Sequence, residues 1–298
     1  MSDYEIKIYE EGFEEAQAKI GVEETTEWTG FGQTPADGLK RYYSVPDFDP
    51  ETRLYAFNGD EMVGFIVSKI LPEDAEAEDK TVKAQHDFPI VKKGHEKVSE
   101  VLYSKCIETL KAKGAKVIEA RVGKGWLGTI EQAEKHGYKE NRVYYMSIEL
   151  PIEKVTAKET EAKFVNFDPV KDREQIVKIF TEKFNMTEEA AQANFDGIIK
   201  PPEGWYAQPV LKEDDKIVAR GLLYIPEDPK IATFRPLSPD PEKHFDSYLA
   251  KVTEIAKEKG SEKFQLFVGG PTMKSQFEFF KGYGFEVGFK VLIYDKEV

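Results

Sequence analysis

Few residues in this 298-residue chain are equipped for chemistry, and they are scattered. Cys106 is the single cysteine, and His86, His95, His136 and His244 are the only histidines. His86 and Asp87 lie near the end of TVKAQHDF, and His95 and Glu96 follow in KKGHEKVS. These four can converge on a metal, but nothing in their spacing demands one. A hydrogen-bonded structural role serves His86 equally well, and Asp87 before Phe88-Pro89 can brace a strand end. Glu119 alternates with apolar Ile118 and Ala120 in KVIEARV, so it can face solvent. Lys92, Lys93 and Lys97 surround Gly94, where they offer positive charge to a phosphate or form an ordinary solvated helix entrance. Cys106 shares one helical face with Val98, Val101, Leu102 and Leu110, which makes it a packed thiol rather than a nucleophile. With no nucleophile and base paired, a hydrolase is disfavoured.

The elements that must position these groups occur twice. KAKGAKVIEARVGKGWLGTIEQAEKHGYKENRVYYMSIEL, residues 111–150, has its counterpart in KEKGSEKFQLFVGGPTMKSQFEFFKGYGFEVGFKVLIYD, residues 257–295. In each copy a helix ends at Gly114 or Gly260, a strand follows, and a glycine-containing loop leads to a second helix. That helix closes at Gly137-Tyr138 or Gly284-Phe285, and a last strand completes the unit. Upstream, RLYAFNGDEMVGFIVSKI reads as a hairpin turning at Asn58-Gly59, and WYAQPVLKEDDKIVARGLLYI as the same hairpin with a longer polar turn. Each copy opens with a short strand and a helix, and Asp168-Pro169 supplies a cap and first-turn proline in the second. Long helices are predicted over Val98–Leu110 and, from Phe245, Tyr248, Leu249, Val252 and Ala256, over the matching stretch. The polar segment PIEKVTAKETEAK separates the copies, giving domains 1–153 and 154–298. LPEDAEAEDK and RPLSPDPEK are read as surface loops.

Composition narrows the function. A length of 298 residues suits two domains, and 40% hydrophobic residues suit a folded globular chain. The net charge of -13, most of it in residues 1–150, argues against nucleic acid and anionic membranes as partners. No apolar run is long enough to span a bilayer, and MSDYEIKIYE carries acids where a secretory signal carries basic residues. One cysteine excludes an intrachain disulfide and fits a reducing cytoplasm.

Strand, helix, hairpin, central strand, long helix, strand, short helix, strand, twice over, resembles the GNAT superfamily of acetyl-CoA-dependent N-acyltransferases. FFKGYGF looks like that family's aromatic and Gly-Phe ending of the short helix, and IEQAEKHGY like a weaker version. The resemblance implies an α/β fold of two tandem domains, each a mixed, mostly antiparallel sheet flanked by helices. It also implies a loop running into the long helix that holds the diphosphate of acetyl-CoA on backbone amides. That loop maps to GHEKVS, with Gly94 in the family's basic position, Lys97 in its first glycine position and Ser99 in its small one. Phe88, Lys92, Lys93, His95, Glu96 and Val98 complete the implied cofactor-binding set, the amide near Phe88 serving the oxyanion. In the second copy the loop maps to DPEKHF, which has no glycine, so cofactor binding is expected only in the first domain and the second aromatic cluster is read as packing.

The family's tyrosine acid is replaced by Ala133 in one copy and Phe280 in the other, although a thiolate of pKa about 8.5 leaves without strong help. His86, Asp87 and Glu119 are the implied candidates for the base. The expected reaction is acyl transfer to a primary amine, on a small molecule or a lysine, with a cationic acceptor favoured by the acidic surface. Two degraded phosphate loops keep a non-catalytic binding or assembly module as the alternative. Whether the two domains pair within one chain or across a homodimer is left open.

Overall fold

The computed structural model describes residues 4–26, 33–72, 81–156, 162–199, 205–237 and 243–298. The chain divides into two compact units, Met1–Met146 joined by Phe289–Val298, and Ser147–Gly288. The boundary therefore differs from a single cut after Glu153: the chain crosses inside one strand at Met146/Ser147 and inside another at Gly288/Phe289. LPEDAEAEDK and RPLSPDPEK fall largely outside the described residues.

Unit 1 opens with β1 (Glu5–Ile8), α1 (Glu14–Glu24) and α2 (Ala36–Tyr43). The hairpin of β2 (Arg53–Asn58) and β3 (Glu61–Ile70) turns through Gly59-Asp60, one residue later than the Asn58-Gly59 read in the sequence: Asn58 still faces Glu61, and Gly59 takes φ +61°. β4 (Lys83–Asp87) pairs β3 antiparallel, Phe88-Pro89 interrupts the ladder, and β5 (Ile90–Val91) rejoins β3. Proline cannot donate to a ladder, so a break at this point is expected. α3 (Val98–Ala112) follows, then β6 (Val117–Gly123), α4 (Thr129–Lys135) and β7 (Lys139–Pro151), whose residues up to Met146 belong to this unit. β6 lies parallel to β4 on one side.

α3 packs Val98, Leu102, Cys106 and Leu110 onto Ile118, Ala120 and Val122 of the sheet. Each such leucine, fully removed from water, contributes about 1.5–3 kcal/mol. Val101, expected on this stripe, is instead 47% exposed, and Tyr103 takes the buried place. Cys106 is 1% exposed and burial pushes its thiol up to about 11, as fits a packed side chain.

Unit 2 runs through β8 (Val165–Asn166), α5 (Arg173–Phe184), α6 (Glu188–Ile199), β9 (Trp205–Ala207), β10 (Pro209–Glu213), β11 (Lys216–Ile225) and β12 (Ile231–Leu237). α7 (Phe245–Glu258), β13 (Lys263–Gly269), α8 (Met273–Lys281) and β14 (Glu286–Glu297) complete the chain. The β10–β11 turn is no longer than its unit 1 counterpart: Glu213 faces Lys216, and Asp214 and Asp215 adopt φ +46° and +61°. Two aspartates thus make a two-residue turn with both φ values positive, where unit 1 uses Gly59-Asp60 with only Gly59 positive; Asp tolerates the left-handed region better than most residues. Asp168 accepts hydrogen bonds from the amides of Val170 and Lys171, a turn before α5 rather than its cap.

β14 departs from the expected arrangement. Its residues from Phe289 belong to unit 1, where they pair antiparallel with β6 from Val291↔Gly123 to Glu297↔Val117. Leu292 and Tyr294 join the core beneath α3. The last strand of the second repeat thus covers an edge in the first, an edge that would otherwise expose unpaired backbone groups.

Candidate functional site

In unit 1 the loop expected to cradle a diphosphate is closed by its own chain. Glu96 Oε1 accepts the Gly94 amide at 2.8 Å, and Glu24 Oε1 accepts the Lys93 amide at 3.3 Å. The amides of Lys92, His95, Val98 and Ser99 donate to the carbonyls of Val63, Lys92, His95 and Glu96. Lys92 Nζ is paired with Glu61 at 2.6 Å, and the Tyr4 hydroxyl meets His95 Nδ1 at 3.1 Å. Gly94 sits at φ +92°, which glycine accepts without strain. Lys97 precedes the first turn of α3 without a side-chain cap. Carboxylates therefore stand where the family pattern puts phosphate oxygens.

The three base candidates lie on the adjoining strands, each engaged. Burial pushes the His86 imidazole down to about 4. Its Nδ1 lies 3.0 Å from the Asp87 carbonyl and its Nε2 2.7 Å from the Tyr138 hydroxyl. Phe88, Tyr103, His136 and Tyr138 gather around it in an aromatic cluster, with Tyr103 and His136 stacked at 3.8 Å. Asp87 accepts both Arg121 Nε, at 2.7 Å, and Arg121 Nη2. Glu119 is buried, not solvent-facing, and accepts two hydrogen bonds from Arg142 at 2.9 and 2.8 Å. Such planar, paired geometry fixes both carboxylates in place. His86, Asp87, His95 and Glu96 form no metal cluster among the described residues.

Unit 1 also contains a cavity of about 310 Å³ between α1, α2 and strands β3, β4 and β6. Arg53, Lys69, Gln85, Asp87, Arg121 and Trp126 line it. Neither Arg53 nor Lys69 appeared as a candidate in the sequence. Their signal was the strand alternation, which sets Lys69 opposite Gln85 and Asp87 opposite Arg121 once the register is fixed.

Unit 2 is built on the same strand order with a different opening. β12 and β13 are parallel and pair only at Ile231↔Lys263 and Ala232↔Phe264. Beyond these pairs lies a cavity of about 800 Å³, lined by Thr233, Phe234 and Arg235 of β12, by Leu266, Phe267 and Val268 of β13, and by α8. α8 carries three phenylalanines yet has no buried residue, with Phe279 and Phe280 both facing the cavity. FFKGYGF is thus partly packing, since Phe285 is 1% exposed and Tyr283 stacks edge-on against Phe245, and partly wall.

Tyr248 of α7 holds one side of the opening: its hydroxyl donates toward the carbonyls of Leu222, at 2.9 Å, and Arg235, at 3.2 Å. The ring reaches them because residue 221 is glycine; a Cβ there would meet the ring at 2.0 Å. Phe280 stands on α8 where the family pattern puts its tyrosine acid, and its ring has no proton to give. Asp240–Glu242, the start of the second expected phosphate loop, lie outside the described residues.

No protein-family model matches the sequence, and no curated protein sequence matches it significantly. Solved structures do match across both units. A tandem GNAT protein of the clavulanic acid biosynthesis pathway aligns with TM-score 0.59 at 13% identity, over 99% of this chain and 98% of that one. A GNAT-family acetyltransferase of Colwellia psychrerythraea aligns with TM-score 0.59 at 13% identity, over 98% of this chain and 100% of that one. A GCN5-related N-acetyltransferase of Sphaerobacter thermophilus gives TM-score 0.52 at 15% identity, over 99% and 95%. With a mixed, mostly antiparallel strand arrangement, one parallel pair in each unit among the described residues and a match along the whole chain to a tandem GNAT structure, this chain has the GNAT fold in its tandem form.

Proposed function

We propose that the protein is an acyl-CoA-dependent N-acyltransferase whose thioester arm is held in unit 2, between β12 and β13. The observation that carries this reading is the early separation of that parallel pair around an 800 Å³ aromatic-walled cavity. A pocket of this size lies within the roughly 300–1,000 Å³ of ligand sites, and strands parted beyond Ala232/Phe264 offer backbone groups to an amide-containing arm. The unit 1 loop does not fit a diphosphate in this conformation, because Glu24 and Glu96 already occupy its amides.

In the reaction the amine nitrogen, having lost its proton to solvent, attacks the thioester carbonyl. The carbon–nitrogen bond forms, the nitrogen gives up its second proton to solvent, the carbon–sulfur bond breaks, and the sulfur departs as a thiolate. With a pKa of about 8.5 this leaving group needs no tyrosine, consistent with phenylalanine at position 280. Backbone amides on the parted stretch of β12 are the candidate oxyanion donors. The acceptor is a primary amine, and the acidic surface concentrates cationic ones near the protein.

The test is thermal unfolding of the intact chain with acetyl-CoA and longer acyl-CoAs. Ligand at about a hundred times its dissociation constant adds about 2.7 kcal/mol of stability. Ser275→Trp and Gln276→Trp, both filling the cavity from α8, are expected to remove that gain. Stabilisation that survives both substitutions refutes the unit 2 placement, and none with any acyl-CoA leaves a binding or assembly module.

A further inference from the structure

The cavity of unit 1 has the opposite character to the protein that surrounds it. The chain carries a net charge of -13, yet three of the groups lining this cavity, Arg53, Lys69 and Arg121, are cationic, and Asp87 is the one carboxylate among the described residues that line it. Asp87 is spent on Arg121, and the nearby Glu119 is spent on Arg142. Among the described residues no carboxylate lies within ion-pairing distance of Arg53 or Lys69.

Arg53 is 7% exposed, and its Nη1 donates to Thr52 Oγ1 at 2.8 Å and to the Ser68 carbonyl. Its Nε is buried without a hydrogen-bond partner. The guanidinium is held over the rings of Tyr43 and Phe48, with centroids 5.5 and 5.6 Å away. A buried charged group with an unused donor is costly, and the cost is recovered when an anion arrives. Lys69, part of whose side chain reaches solvent, lines the same cavity, its ammonium shifted down by partial loss of hydration and then by repulsion from Arg121. An anion placed between the two relieves both effects. Leu39, Phe65 and Trp126 supply apolar wall, so the anionic group belongs to an organic molecule, and about 310 Å³ limits it to a small one.

We propose that unit 1 binds a small organic carboxylate in the cavity between α1, α2 and the sheet, its carboxylate held by Arg53 and Lys69. The site is separate from the acyl-CoA cavity proposed in unit 2 and does not depend on that reading. A cationic amine, which the acidic composition favours as a partner, is the wrong charge for this pocket.

The experiment titrates the full chain with succinate, citrate, inorganic phosphate and methylammonium at constant ionic strength, following tryptophan fluorescence. Trp126 lines the cavity, so Trp126→Phe identifies the part of the signal that arises there. A saturable response to succinate or citrate is expected, with none to methylammonium. Lys69→Glu, at an exposed position tolerant of the change, is expected to weaken it about tenfold or more while leaving stabilisation by acetyl-CoA as it was. No response to either carboxylate, a response to phosphate alone, or a carboxylate response that Lys69→Glu leaves intact would each overturn the proposal.

Discussion

The two units share an order of elements and differ at one point along their parallel strands. In unit 1, β4 and β6 stay paired over five positions, from Lys83↔Val117 to Asp87↔Arg121, and the last pair is an ion pair. In unit 2, β12 and β13 pair at only two positions. The same step along the second pair of strands, counted from Ile231↔Lys263, brings Arg235 and Phe267 to the places of Asp87 and Arg121. Phe267 is 49% exposed, and an arginine with a phenylalanine supplies no ion pair to draw the strands together there. The scaffold thus keeps its order of elements while its central seam carries an ion pair in unit 1 and an arginine beside a phenylalanine in unit 2. That is why function has to be argued from the site and not from the fold.

Breaking the clasp should have the largest effect. Asp87→Ala leaves the largely buried Arg121 without its carboxylate, and a loss of about 3 kcal/mol is expected in urea unfolding. Arg121→Met on the same background should restore part of it. Acid probes the same strand next. His86 is held neutral by burial, down to about 4 against an ordinary 6.5, so the unfolded chain binds its proton first as the pH falls. Stability is complete above about pH 6.5 and is lost towards pH 4, by about 2 kcal/mol at pH 5. Urea midpoints of His86→Gln should show a flatter profile over that range, and an equally steep one would contradict the assignment.

Building a clasp in unit 2 is the converse test. Arg235→Asp with Phe267→Arg should draw β12 and β13 together and weaken acyl-CoA binding about tenfold, about 1.4 kcal/mol, in calorimetric titration. Unclosing the unit 1 loop should matter least. Glu24→Gln with Glu96→Gln takes two carboxylates from backbone amides at an exposed loop and should shift the urea midpoint only slightly. The double variant should acquire stabilisation by CoA that Ser275→Trp does not abolish.

The repeat, the helices and, to within one residue, the first hairpin turn were legible because each rests on local periodicity or on a backbone conformation that few residues accept. Cys106 was legible for the same reason. The sites were not, because their chemistry is set by partners distant in sequence. Glu24 reaches Lys93 from α1, and Arg142 reaches Glu119 from β7. Lys92, Lys93 and Lys97 advertised positive charge, but the backbone beside them had already found carboxylates. In unit 2 the missing glycines speak only of the second loop, whereas the open seam is a matter of where two strands cease to pair. Nor could the route of β14 be read from its sequence, since an alternating apolar strand fits an edge in either copy equally well.

That route carries a consequence for biogenesis. Ser147–Gly288 is one uninterrupted stretch, so unit 2 can gather all its residues in a single pass of synthesis. Unit 1, though begun first, must wait through that entire stretch before residues 289–298 emerge to sheathe Val117–Gly123. Until then VIEARVG is a β-prone ribbon with one bare side on a nascent chain, the kind of segment that chaperones shield and that recruits other strands. The half made earliest is finished last.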